Sequence, residues 1–129
     1  MAALKSNPTN ANAVVGLAAI ALKKSLDNAS DTYNFVMSLS KAGPDPSIEP
    51  SSDVCAESYS DALFKLVDAV PALSSRALSD ANTLVSAAIT YADKCKQSFE
   101  GKASNSLGNR NDYLNQLCTV TLDITKLIS

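Results

Sequence analysis

The chain has 129 residues, 46% of them hydrophobic, enough for one core in a single domain spanning 1–129. Eleven Lys and Arg against thirteen Asp and Glu give a net charge of −2, without the basic footprint that nucleic acid or an anionic membrane surface calls for. With no His and no Trp, no metal-ligand spacing, no nucleophile motif and no glycine-rich phosphate loop, the composition argues against an enzyme and implies neither cofactor nor metal.

The longest apolar run, Ala13 to Leu22, is about half of what a spanning helix needs. It also lacks the basic lead-in and cleavage-like site of a secretory signal. From Val15, apolar or small residues recur at Ala18, Leu22, Leu26, Ala29, Tyr33 and Val36, which predicts one long helix over roughly 10–41. Asn28-Ala29-Ser30 within it is an N-glycosylation sequon, so Asn28 is a candidate modification site.

Three prolines between Gly43 and Pro50 predict a loop. Cys55, Tyr59, Leu63, Leu66, Val70 and Leu73 form the second stripe, with Pro71 expected to kink or end that helix near its last turn. The third stripe is the most regular: Leu78, Ala81, Val85, Ala88, Ala92, Cys95 and Phe99 alternate steps of three and four. A second loop is expected from Gly101 to Gly108, and a last helix from Asn109, with Tyr113, Leu117, Val120, Ile124 and Leu127 facing inward.

Four amphipathic segments without two-residue alternation predict an all-α, up-and-down four-helix bundle. Cys55 and Cys95 fall on the core stripes of adjacent helices, a placement compatible with a disulfide or with two buried thiols. The helical phase puts Glu57, Asp61, Phe64 and Asp68 on the outer face of the second helix. An aromatic among acids there is either solvated surface or an interface anchor. Thr83, Ser86, Thr90, Lys94 and Gln97 fall on the outer face of the third.

The segments Cys55-Ala-Glu57-Ser-Tyr59-Ser-Asp61-Ala-Leu63, Ser86-Ala-Ala-Ile-Thr90 and Lys94-Cys95-Lys-Gln-Ser-Phe99-Glu-Gly101, in this order, resemble the plant family of pectin methylesterase and invertase inhibitors. The final Leu122-Asp-Ile-Thr-Lys-Leu-Ile128 completes the likeness, which runs from Leu4 onward. The resemblance implies a Cys55–Cys95 disulfide between the second and third long helices, with Cys118 left as a free thiol. It implies an N-terminally truncated member, without the family's usual signal peptide and helical hairpin, and an extracellular setting in the apoplast or cell wall.

Family members bind a cell-wall carbohydrate enzyme one-to-one over its active-site cleft. The resemblance therefore implies pectin methylesterase as the partner, with invertase as the alternative and a non-inhibitory bundle derived from the family as a further one; the odd thiol and the missing hairpin leave the chain a monomer or a dimer. The contact positions it carries over are Glu57, Asp61 and Asn82. Lys94 and Lys96 stand beside the second bundle cysteine, where the family has Thr and acidic residues, so the local charge at that contact is reversed. The family's invertase branch can carry Pro-Lys-Phe between the second and third helices, where this chain reads Ser74-Ser-Arg76-Ala-Leu78.

Overall fold

The computed structural model describes residues 8–41, 49–98 and 105–128. They form four helices: α1 (Pro8–Lys41), α2 (Glu49–Ser74), α3 (Leu78–Ser98) and α4 (Asn105–Lys126). At 1.5 Å per residue, α1 is about 51 Å long. Each helix packs on the next and α4 closes back onto α1, while the diagonal pairs have no close backbone approach. This is the up-and-down bundle expected from the periodicity.

Local chemistry explains the ends. Pro8 opens α1 and Pro50 lies in the first turn of α2, where amides have no intrahelical acceptor and a missing N–H costs nothing. The expected first loop therefore gives up Glu49 and Pro50 to α2, and its residues 43–48 lie outside the described residues. Pro71 falls in the last turn of α2, which stops at Ser74. There the amide of Ala77 bonds Ala72 O at 2.9 Å and that of Arg76 bonds Leu73 O at 3.1 Å, the paired bonds of a Schellman cap. Arg76 occupies the left-handed position of this cap, with φ 65°.

The α3 stripe is buried as its spacing demands at Ala81, Val85, Ala88, Ala92 and Cys95, with Leu78 partly covered; Phe99 lies outside the described residues. In α1 and α2 the fully covered positions include Ala18, Leu22, Ala29, Val36, Cys55, Tyr59, Leu66 and Leu73. Val70, expected in the core, is 42% exposed. It lines an apolar trough on the α1–α2 seam with Ala19, Leu22, Leu26 and Leu73.

The last helix corrects the sequence reading twice. It begins at Asn105, so part of the expected second loop is helical, and its buried face is Asn111, Leu114, Cys118, Thr121 and Thr125. Tyr113 and Val120, expected inside, are 51% and 47% exposed. Leu117 and Ile124 take intermediate positions at the edges of the interface, as does Leu127 just beyond the helix. Polar side chains are accepted on the inner face because each finds a partner there: Thr121 Oγ1 donates to Leu117 O of its own helix at 2.9 Å and Thr125 Oγ1 to Asn82 Oδ1 of α3 at 2.7 Å.

Cys55 and Cys95 are joined in a disulfide, both fully buried, with α-carbons 4.5 Å apart. It staples the start of α2 to the end of α3. Ser51 Oγ reinforces the same junction by donating to Ser98 O at 2.6 Å.

Candidate functional site

α2 and α3 run antiparallel, so the disulfide sets their relative height. Glu57 lies two residues past Cys55 and Lys94 one before Cys95, which puts an acid and a base level with each other at the stapled end. Both are exposed. Asp61, one turn on, is partly covered, and Gln97 and Thr90 add short or polar exposed side chains on α3.

The neighbouring Lys96 has a different role. Its Nζ pairs with Asp112 Oδ1 at 2.8 Å, tying α3 to α4. Among the described residues Lys94, the other lysine beside Cys95, makes no such ion pair. Asp93 likewise holds α4, accepting from Asn115 Nδ2 at 2.8 Å.

The remaining candidates are spread out. Phe64 is 68% exposed and lines a depression with Tyr33, Ser60, Leu63 and Val67, on the α1 side of α2. Asn82 stands near the opposite end of α3, about 20 Å along the axis from Cys95 at 1.5 Å per residue. It borders an open groove with Ser79, Thr83 and Ser86. Its Oδ1 accepts from Thr125 Oγ1 of α4, while its amide nitrogen can donate to a partner. Glu57, Asp61 and Lys94 thus lie in the half of the bundle nearer the disulfide, Phe64 on the α1 side of α2 and Asn82 toward the other end of α3.

Asn28 lies in the body of α1, beside a depression shared with Lys24, Asp27, Asp31 and Tyr113. Its Oδ1 is buried and has no hydrogen-bond partner among the described residues.

Two groups titrate abnormally, and both are interior. Burial pushes the Cys118 thiol up to about 11, against a partly offsetting hydrogen bond with Ser25. Burial, and secondarily the nearby Cys118 and Asp112, raise the Tyr59 phenol well above its usual range, with Arg110 opposing. Neither is an accessible nucleophile or base at neutral pH. Among the described residues no group of three or more His, Cys, Asp or Glu could hold a metal ion, and no helix is long and apolar enough to cross a membrane.

Sequence reasoning missed the apolar trough of the α1–α2 seam and the link between Arg76 and Asn12, whose Oδ1 accepts from Arg76 Nη2. The trough had a signal in the sequence, since Leu22, Leu26, Val70 and Leu73 all lie on apolar stripes. Only the spacing of the two helices turns part of that stripe outward. The Arg76–Asn12 link joins residues 64 positions apart and leaves no local trace.

The sequence model of a family described as plant invertase/pectin methylesterase inhibitor matches residues 1–124. A pectinesterase inhibitor of Actinidia deliciosa is 30% identical over 129 residues, covering 98% of this chain and 70% of the relative. A putative invertase inhibitor of Platanus orientalis is 28% identical over 116 residues, covering 88% of this chain and 68% of the relative. The crystal structure of a pectin methylesterase inhibitor from Arabidopsis thaliana superposes with a TM-score of 0.85 at 25% identity, over 90% of this chain and 78% of that one.

Proposed function

Because the chain belongs to the plant invertase/pectin methylesterase inhibitor family, we propose that it inhibits a pectin methylesterase of the plant cell wall by docking one-to-one over the enzyme's active-site cleft. The observation that carries this reading is the agreement of sequence and fold: a pectinesterase inhibitor matches along nearly the whole chain, and a pectin methylesterase inhibitor structure matches the bundle. The protein acts by binding, as a member of a family of inhibitors rather than of catalysts. The family setting supports an extracellular, apoplastic location.

The contact surface in this reading is the outer face of α2 and α3 at the stapled end. In it Glu57 and Asp61 supply charge from α2 and Lys94 supplies the opposite charge from α3, the two helices being joined nearby by the disulfide. Phe64 is an aromatic anchor on one flank and Asn82 a hydrogen-bond donor on the other. Invertase is the second reading, favoured by the match to a putative invertase inhibitor over most of this chain.

The test is titration of the oxidised protein against a plant pectin methylesterase and, in parallel, a cell-wall invertase, with activity and complex mass both measured. Stoichiometric inhibition of the esterase is expected. Glu57→Ala with Asp61→Ala, and separately Lys94→Glu, should each weaken binding about tenfold or more, equivalent to about 1.4 kcal/mol. A one-to-one complex with invertase alone moves the target to the second reading, and no complex with either enzyme overturns both.

A further inference from the structure

The four helices are not held equally. α2 buries Tyr59, Leu66 and Leu73 completely, together with Cys55, Ala62 and Ala69, and is covalently joined to α3. α4 presents Asn111, Leu114, Cys118, Thr121 and Thr125 to the core, of which only Leu114 is a large apolar side chain.

Beside buried Leu114 and the partly buried Leu122 and Ile124, which pack against the core, α4 makes a series of polar contacts. Asn111 Oδ1 accepts from Tyr59 Oη, and its Nδ2 approaches Cys95 Sγ at 3.7 Å. Asn115 reaches Asp93, Thr125 reaches Asn82, and Asp112 pairs with Lys96. Arg110 lies over the Phe35 ring at 4.5 Å. Such groups exchange protein partners for water when a helix lifts away, so their net hold is weak beside that of buried large apolar side chains. On the α1–α4 seam the buried Asn28 Oδ1, which has no hydrogen-bond partner among the described residues, lies by a depression shared with exposed Tyr113.

We propose that α4 undocks from the α1–α3 unit as one cooperative piece while the Cys55–Cys95 staple keeps α2 and α3 joined, and that the Cys118 thiol becomes reachable only in that opened state. Sub-global opening of this kind belongs to elements with few large buried apolar side chains. It gives the bundle a gated thiol: Cys118 is fully covered in the closed form and faces solvent in the open one. The inference does not depend on which enzyme the protein binds.

The test is hydrogen exchange by mass spectrometry on the oxidised full-length chain in sub-denaturing urea, with alkylation of Cys118 by iodoacetamide followed in the same samples. Amides of 111–122 are expected to exchange about tenfold or more faster than those of 58–70, with a weaker dependence on urea, and alkylation should track the α4 opening. Thr121→Val, which turns a buried hydroxyl into a methyl, should slow both α4 exchange and alkylation several-fold. Identical rates and urea dependence for α4 and α2 would overturn the proposal, because the bundle would then open only as a whole. Alkylation that proceeds regardless of α4 exchange would overturn the gating.

Discussion

Tyr59 of α2 donates its phenolic proton to Asn111 of α4 across the diagonal of the bundle, between two helices whose backbones do not otherwise meet. Tyr59 is fully buried and Asn111 is 1% exposed, so each is the other's substitute for water. Asn111 also reaches the disulfide through Cys95 Sγ. One side-chain pair thus ties the helix with the weakest apolar hold to the stapled pair.

Tyr59→Phe keeps the ring but leaves Asn111 Oδ1 buried and unpaired. The expected cost is about 1–3 kcal/mol, the penalty for an unsatisfied buried acceptor. Equilibrium urea unfolding measures it, and an unchanged midpoint would show that the bond does not form in solution.

Stability should fall in alkali. The folded-state values of Cys118 and Tyr59 are both raised, so the folded protein holds on to protons that the unfolded chain releases first. For Cys118 the stabilisation is complete below its ordinary value near 9 and is lost as pH rises through about 11. The loss amounts to roughly 3 kcal/mol, and Tyr59 extends it above about pH 10. Cys118→Ser should flatten the pH dependence between 9 and 11 in urea unfolding. A slope identical to that of the parent would assign the effect to other groups.

The left-handed backbone of Arg76 makes a comparison between two substitutions informative. Both Arg76→Gly and Arg76→Ala lose the guanidinium contact with Asn12, but only glycine accepts the Schellman position without a Cβ penalty. The glycine variant should be the more stable by about 1 kcal/mol, read from thermal unfolding. Equal stabilities would mean that the cap relaxes in solution.

Removing the staple should cost more than any of these. Cys55→Ala with Cys95→Ala frees a 40-residue separation in the unfolded chain, for which the chain-entropy estimate is about 4 kcal/mol. The double variant should still be helical by circular dichroism at low temperature, with a much lower urea midpoint. A midpoint within experimental error of the parent would show that the Ser51–Ser98 junction and core packing alone hold α2 to α3.

The sequence by itself determined the four helices, their order, the inner face of α3 and most of those of α1 and α2. Steps of three and four put Ala81, Val85, Ala88, Ala92 and Cys95 on one side of α3, and no neighbour is needed to read that. The same periodicity put Glu57, Asp61 and Lys94 outside, so their place on the surface was legible, while the disulfide that levels Cys55 with Cys95 came from the resemblance. The tertiary structure decided the phase of α4. Apolar spacing selects Tyr113, Leu117, Val120, Ile124 and Leu127, whereas the folded chain turns Asn111, Cys118, Thr121 and Thr125 inward around Leu114. Periodicity counts a polar side chain as outward because it cannot know what that side chain will meet. Tyr59 and Asn82 stand 52 and 43 residues away from the groups they satisfy, and that distant pairing makes a polar inner face stable. The α1–α2 trough has the same origin, since the spacing of two helices is fixed by everything packed around them and by no segment of either.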